Sequence, residues 1–140
     1  MIIEKQLSCN QQEFFDALVE AIINDIYAST DHKVDKVSLK KGYTYSKIIP
    51  NKKKAKAKAT IKEYKEPQRY CLEIKSENGK TTMDYKIQRI DDKTINIIYK
   101  EEYKRNDGKK YNGIFYRYSV KKRMKSSLQR MEKYIQNKNH

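Results

Sequence analysis

The stretch Asn10-Gln-Gln-Glu-Phe-Phe-Asp-Ala-Leu-Val-Glu-Ala-Ile-Ile-Asn-Asp-Ile-Tyr27 decides how the rest of the chain must fold. Phe14, Leu18, Ile22 and Ile26 recur every four residues, and Phe15, Val19, Ile23 and Tyr27 form the adjacent ladder. On a helix the two ladders merge into one wide apolar face, with Asp16, Glu20, Asn24 and Asp25 on the other side. Asn10 and Glu13 have the spacing of a capping box, which starts the helix, and Ser29-Thr30-Asp31 ends it. A face this wide needs a cover the size of a sheet.

Outward from the helix, the period becomes two. Residues 1–7 read as a strand with Ile3 and Leu7 inward, whereas residues 31–41 read equally as a short helical turn or a loop. From Gly42, Tyr43, Tyr45 and Ile48 or Ile49 mark a strand that stops at Pro50. Ala55, Ala57, Ala59 and Ile61 then alternate with lysines, which places small apolar side chains on one face and ammonium groups on the other. Beyond Glu66-Pro67, the alternations Tyr70-Leu72-Ile74, Thr81-Met83-Tyr85-Ile87 and Ile95-Ile97-Tyr99 predict three more strands. Asn78-Gly79 predicts a type I′ hairpin turn with positive φ at both residues, and Asp91-Asp92-Lys93 predicts the next turn. Short loops of this kind imply antiparallel neighbours. After Asn106-Asp107-Gly108, apolar spacings of three and four run from Tyr111, Ile114, Phe115 and Tyr118 into Met124, Leu128, Met131, Tyr134 and Ile135. They predict a second long helix, its stripe interrupted at Lys121-Lys122-Arg123.

Strand, helix, about five strands and a long helix make an α+β, helix-grip order: a curved antiparallel sheet wrapped around a C-terminal helix, all within one domain of residues 1–140. The Ile-Ile-Glu-Lys-Gln-Leu strand, the Glu-Phe-Phe-Asp helix start, the Lys-Ala-Thr-Ile-Lys strand and the Lys-Lys-Arg-Met-Lys helix resemble the START-like, polyketide-cyclase-like (SRPBCC) superfamily. More narrowly, the chain resembles an uncharacterised domain family of low-GC Gram-positive bacteria (Firmicutes). The wider resemblance implies a hydrophobic ligand held between sheet and C-terminal helix; the narrower one implies no activity.

Composition bounds the function further. With 36% charged and 37% hydrophobic residues, disorder is the competing reading, and the sustained apolar period argues against it. Cys9 and Cys71 have no metal-like spacing, and the N-terminal sequence has no secretory apolar stretch, so a reducing, cytoplasmic compartment is expected. No window approaches the apolar run of about 18 residues that spans a bilayer. The net charge of +14 is uneven: residues 1–30 carry −4, while residues 36–65 and 103–140 each carry +10. Such an excess attracts phosphate-bearing partners, although Lys-rich composition is also typical of AT-rich genomes.

No catalytic constellation emerges, and no cofactor or metal site is expected. His32 and His140 are the only histidines, and the 4 glycines are scattered, which leaves no triad, metal centre or phosphate-cradling loop to build. The paired carboxylates Asp91-Asp92 and Glu101-Glu102 fall in a turn or on opposite strand faces. Glu101 is the exception: parity with Ile97 and Tyr99 aims it inward, where it needs a partner or a raised pKa, unless it meets water at a strand end. Tyr43, Tyr45, Tyr70, Tyr85 and Tyr99 also fall on inward faces, where they either line an amphipathic cavity or fill a core without Trp.

The expected function is therefore binding, with catalysis disfavoured. An apolar or amphipathic small molecule lies between sheet and C-terminal helix, lined by Met83, Tyr85, Tyr99, Phe115 and Tyr118. The alternative is a basic surface module engaging nucleic acid, an anionic surface or another polyanion through Lys52, Lys53, Lys54, Lys56 and Lys58, a lysine face that also reads as edge-strand protection. A third reading is a protein-interaction domain with a filled core.

Overall fold

The computed structural model describes residues 1–49, 56–109 and 113–138. Asn10 caps the first helix as its spacing implies. Its side chain accepts from the Glu13 N–H at 2.8 Å, while Glu13 Oε1 accepts from the Asn10 N–H at 3.0 Å. Helix α1 (Gln11–Thr30) buries Phe14, Phe15, Leu18, Val19, Ile22 and Ile26. It stops where Asp31 turns left-handed, at φ 62°, and its N–H bonds the Tyr27 carbonyl at 2.9 Å. Asp tolerates that conformation better than most residues with a side chain.

Six strands follow the predicted period: β1 (Ile2–Leu7), β2 (Thr44–Ile48), β3 (Lys56–Lys65), β4 (Arg69–Lys75), β5 (Gly79–Asp91) and β6 (Thr94–Arg105). They form one sheet in the order β1-β6-β5-β4-β3-β2, every neighbouring pair antiparallel. Ala57, Ala59 and Ile61 are buried while Lys56, Lys58 and Lys62 are exposed, so parity alone sorted that strand. Register shifts at Ile61/Glu63 and Arg89/Asp91 mark irregularities that bend strands and raise their twist. Between α1 and β2 the chain makes a single 3₁₀ turn, Lys36–Ser38, and buries Leu39.

Two local expectations are overturned. Among the described residues, positive φ occurs at Asp31, Gly42 and Gly108, so Asn78-Gly79 does not form a type I′ turn. The turn is displaced by one residue: Lys75 pairs with Lys80, and the Ser76 N–H bonds the Gly79 carbonyl at 2.8 Å, which leaves Glu77-Asn78 at the tip. Gly79 is needed for close approach instead, because a Cβ there would run into the Lys104 carbonyl and the Tyr103 ring of β6. Nor do Lys56 and Lys58 guard an edge, since β3 is flanked by β2 and β4.

Helix α2 (Ile114–Lys138) buries Met124, Leu128 and Ile135. Its first turns depart from the sequence reading. Ile114, Phe115 and Tyr118 are 82%, 90% and 68% exposed. At about 100° per residue, the six-residue step from Tyr118 to Met124 leaves them roughly 120° apart around the helix. The apparent single stripe is two faces, and the one that meets the core begins at Val120. The helices take different parts of the sheet: α1 packs chiefly on β2, α2 on β1, and they also touch each other. This is the helix-grip, α+β architecture the element order predicts.

Candidate functional site

The row of inward tyrosines crosses the middle of the sheet. The Tyr85 and Tyr99 rings stack with centroids 4.3 Å apart and planes 6° apart, as direct cross-strand partners on β5 and β6. Tyr70 on β4 tilts against Tyr85 at 6.3 Å, and Tyr64 on β3 meets Tyr70 edge-on at 6.5 Å. From α1, Phe14 packs on Tyr85 and Phe15 on Tyr64. Much of the apolar area of these rings is thus spent on one another.

The hydroxyls need partners, and the sheet supplies a polar chain. The Tyr85 and Tyr99 hydroxyls lie near one another at the edge of this ring stack. Tyr99 donates to Glu101 Oε2 at 2.5 Å, and Glu101 Oε1 accepts from the Arg123 guanidinium of α2. The inward aim read from the parity of Glu101 holds: its side chain is 13% exposed, and the partner it requires arrives from α2. Burial, first of all, pushes the Tyr85 phenol up to about 12 and raises Tyr99 well beyond the ordinary range. At neutral pH both remain phenols, suited to hydrogen bonding and not to acting as phenolate bases. At the other end of α1, Asp25 accepts from the Tyr45 hydroxyl and from Lys47 Nζ at 2.7 Å. Burial is again the leading cause of the raised Tyr45 phenol.

Between α1 and α2 a groove of about 440 Å³ opens onto Tyr85. Ala17 and Ala21 lie one turn apart on α1, and their small side chains leave the space that α2 does not fill. Leu18, Tyr85 and Met131 supply apolar surface; Asn24, Ser127 and Arg130 supply polar groups. Glu20, also on the wall, is already engaged: it accepts from the Tyr134 hydroxyl at 2.6 Å and from Lys138 Nζ at 3.1 Å. The Tyr134 hydrogen bond leads in holding its carboxyl below the usual range. These bonds tie α1 to the C-terminal part of α2 and so set the width of the groove.

Of the residues singled out from sequence, Tyr85 lines this groove. Tyr99 lies behind it, and Met83, half-buried, faces Glu101 across β5 and β6. Phe115 and Tyr118 stand in solvent, away from the sheet. Lys56 and Lys58 are exposed on the outer face of β3, while Lys52, Lys53 and Lys54 fall outside the described residues. Cys9 and Cys71 are buried and free, their thiols pushed up to about 12 and about 11 chiefly by burial. Among the described residues no cluster of His, Cys, Asp and Glu is suited to a metal ion. Sequence reasoning missed Ala21, Arg130 and Met131; the Ala17–Ala21 spacing was a signal for a gap, but what lay across it was not.

A family model described as a domain of unknown function, DUF3284, matches residues 1–121. The chain belongs to that family. No curated protein matches it. Among solved structures it is similar to Ara h 8.0201, at 12% identity and TM-score 0.62, with 98% of each chain covered. It is also similar to a conserved protein from Geobacillus kaustophilus, at 16% identity and TM-score 0.58, covering 96% of this chain and 93% of that one. A third is a point mutant of Thalictrum flavum norcoclaurine synthase in complex with a transition-state analogue, at 6% identity and TM-score 0.59, covering 100% and 95%. At these identities the likeness establishes a shared fold. Among the described residues no helix is long and apolar enough to cross a membrane.

Proposed function

We propose that this DUF3284 domain binds a small amphipathic molecule in the groove between α1 and α2, over Tyr85. The observation that carries this reading is the groove itself: about 440 Å³, with an apolar floor and convergent polar groups on its walls. That combination, at a junction of packed elements, is what small-molecule sites are built from. The molecule's apolar body lies on Leu18, Tyr85 and Met131, and its polar end meets Asn24, Ser127 or Arg130. The neutral Tyr85 phenol on the floor, with no activated nucleophile among the described residues that line the groove, favours binding over chemical transformation. The solved structure of norcoclaurine synthase with a transition-state analogue shows one protein of this fold holding a small molecule.

Titration with the neutral apolar dye Nile red tests the proposal. A saturable fluorescence rise is expected, weakened by about tenfold or more in Ala21→Trp, whose indole fills the groove from an exposed helix position. Equal affinity in wild type and variant, or no saturable binding, would overturn it and leave a filled core as the better account. The basic-surface reading keeps one observation in its favour: Lys56 and Lys58 are exposed, and neither has a carboxylate partner among the described residues. Lys56→Glu with Lys58→Glu separates the two, abolishing polyanion binding and leaving the dye titration unchanged.

A further inference from the structure

Helix α2 carries two apolar faces, and the core uses one. Met124, Leu128 and Ile135 face the sheet and β1, and Ser127, Arg130 and Tyr134 face the groove. Ile114, Phe115 and Tyr118 lie on the remaining side and begin the helix largely in solvent. By helical phase, Lys121, Lys122 and Lys125 continue that same outer face toward the C-terminus. Along the chain here the charge is of one sign: residues 108–131 hold eight Lys or Arg and no acid, and Glu101 of β6 pairs with Arg123.

We propose that the first turns of α2 dock onto an anionic lipid surface, Ile114, Phe115 and Tyr118 entering the headgroup region while Lys121, Lys122 and Lys125 meet the lipid phosphates and carboxylates. This proposal is independent of the groove. An apolar tip with flanking lysines is the composition of an interfacial helix, in which apolar burial and attraction to anionic lipid add. Lysine suits the rim, because its methylene stem lies along apolar surface while the ammonium reaches water or phosphate. A tip of three residues buries too little to hold a neutral membrane alone, so both signals are required.

The same observations disfavour two other occupants. A second copy in a two-fold contact would bring like-charged patches face to face, which the acid-free sequence gives no means of offsetting. Single-stranded nucleic acid stacks bases on aromatics along a basic groove. Here the aromatics project from a convex helix end, and exposed Ile114 offers no stacking surface.

Flotation with vesicles tests the proposal. The intact chain should float with phosphatidylcholine vesicles containing phosphatidylserine, remain unbound with phosphatidylcholine alone, and be released by salt. Phe115→Ser with Tyr118→Ser should weaken binding by about tenfold or more, since each ring loses its apolar burial. Lys121→Glu with Lys122→Glu should weaken it by at least a similar factor, at about fivefold per lysine removed. All four positions are exposed, so circular dichroism should show unchanged helix content. Lys56→Glu with Lys58→Glu, of equal charge change on β3, should alter binding less than about twofold; an equal loss there would show that net charge alone is read. Binding to oligonucleotides but not to vesicles, equal binding to neutral vesicles, or a dimer abolished by Phe115→Ser would each overturn the proposal.

Discussion

Glu101 couples two elements through a single carboxylate. It accepts from Tyr99 on its own strand and from Arg123 on α2, and it is largely withdrawn from water. Removing it leaves the Tyr99 hydroxyl short of its acceptor in a buried position. Glu101→Ala should therefore lower the unfolding free energy by about 1–3 kcal/mol in urea titrations. Arg123→Ala should cost less, because that side chain is more than half exposed and water replaces its partner. If the arginine variant were the more damaging, the carboxylate would not be the centre of this contact. The inward aim of Glu101 followed from strand parity. Arg123, 22 residues away in sequence, had no such signal. Gly79 shows the converse: the Asn-Gly pair invited a turn reading, yet the glycine answers the backbone of β6 passing beside it.

At the scale of elements, helix α1 was legible from end to end because its determinants are local. The cap uses residues three apart, and the apolar ladders repeat within one turn. Asn10→Ala should destabilise the fold by about 1 kcal/mol in the same urea assay, as the Glu13 N–H loses its acceptor and Glu13 loses its return geometry. Asn10→Ser, which keeps an acceptor oxygen, should recover most of that loss. Helix α2 was legible as a helix but not in its phase. Spacings of three and four are satisfied on either side of Lys121-Lys122-Arg123 separately, so the pattern marks helix without saying that both halves share one face. The interruption at the basic turn was visible, and counting six residues from Tyr118 to Met124 locates the change of face.

For the whole molecule, the buried phenols and thiols make stability fall in alkali. Burial pushes Tyr85 up to about 12 and raises Tyr45, Tyr70 and Tyr99 further, while Cys9 and Cys71 rise to about 12 and about 11. In the unfolded chain the same groups lose their protons near pH 8.5 for thiols and about 10 for phenols. Between the unfolded and folded values the unfolded state binds fewer protons, so the unfolding free energy declines as pH rises. The contribution is complete below about pH 8 and is lost through about pH 12, each group adding a slope of about 1.4 kcal/mol per pH unit within its own window. Urea midpoints across that range should fall steeply while phenolate absorbance appears with unfolding and not before it. Tyr85→Phe should flatten the decline; a flat wild-type profile would mean that these groups ionise inside the fold.

The order of elements, the parity of each strand and the cap of α1 are all written in residues a few positions apart, and periodicity alone carried them to the helix-grip fold. The groove, the acceptor role of Glu101 and the two faces of α2 arise where segments far apart in sequence meet. Ala17 and Ala21 become a groove wall because Ser127, Arg130 and Met131 stand across from them above Tyr85. Phe115 and Tyr118 reach solvent because the sheet meets α2 from Val120 onward. Local spacing sets which side of an element is apolar, whereas docking of helices on the sheet decides which of those sides is covered.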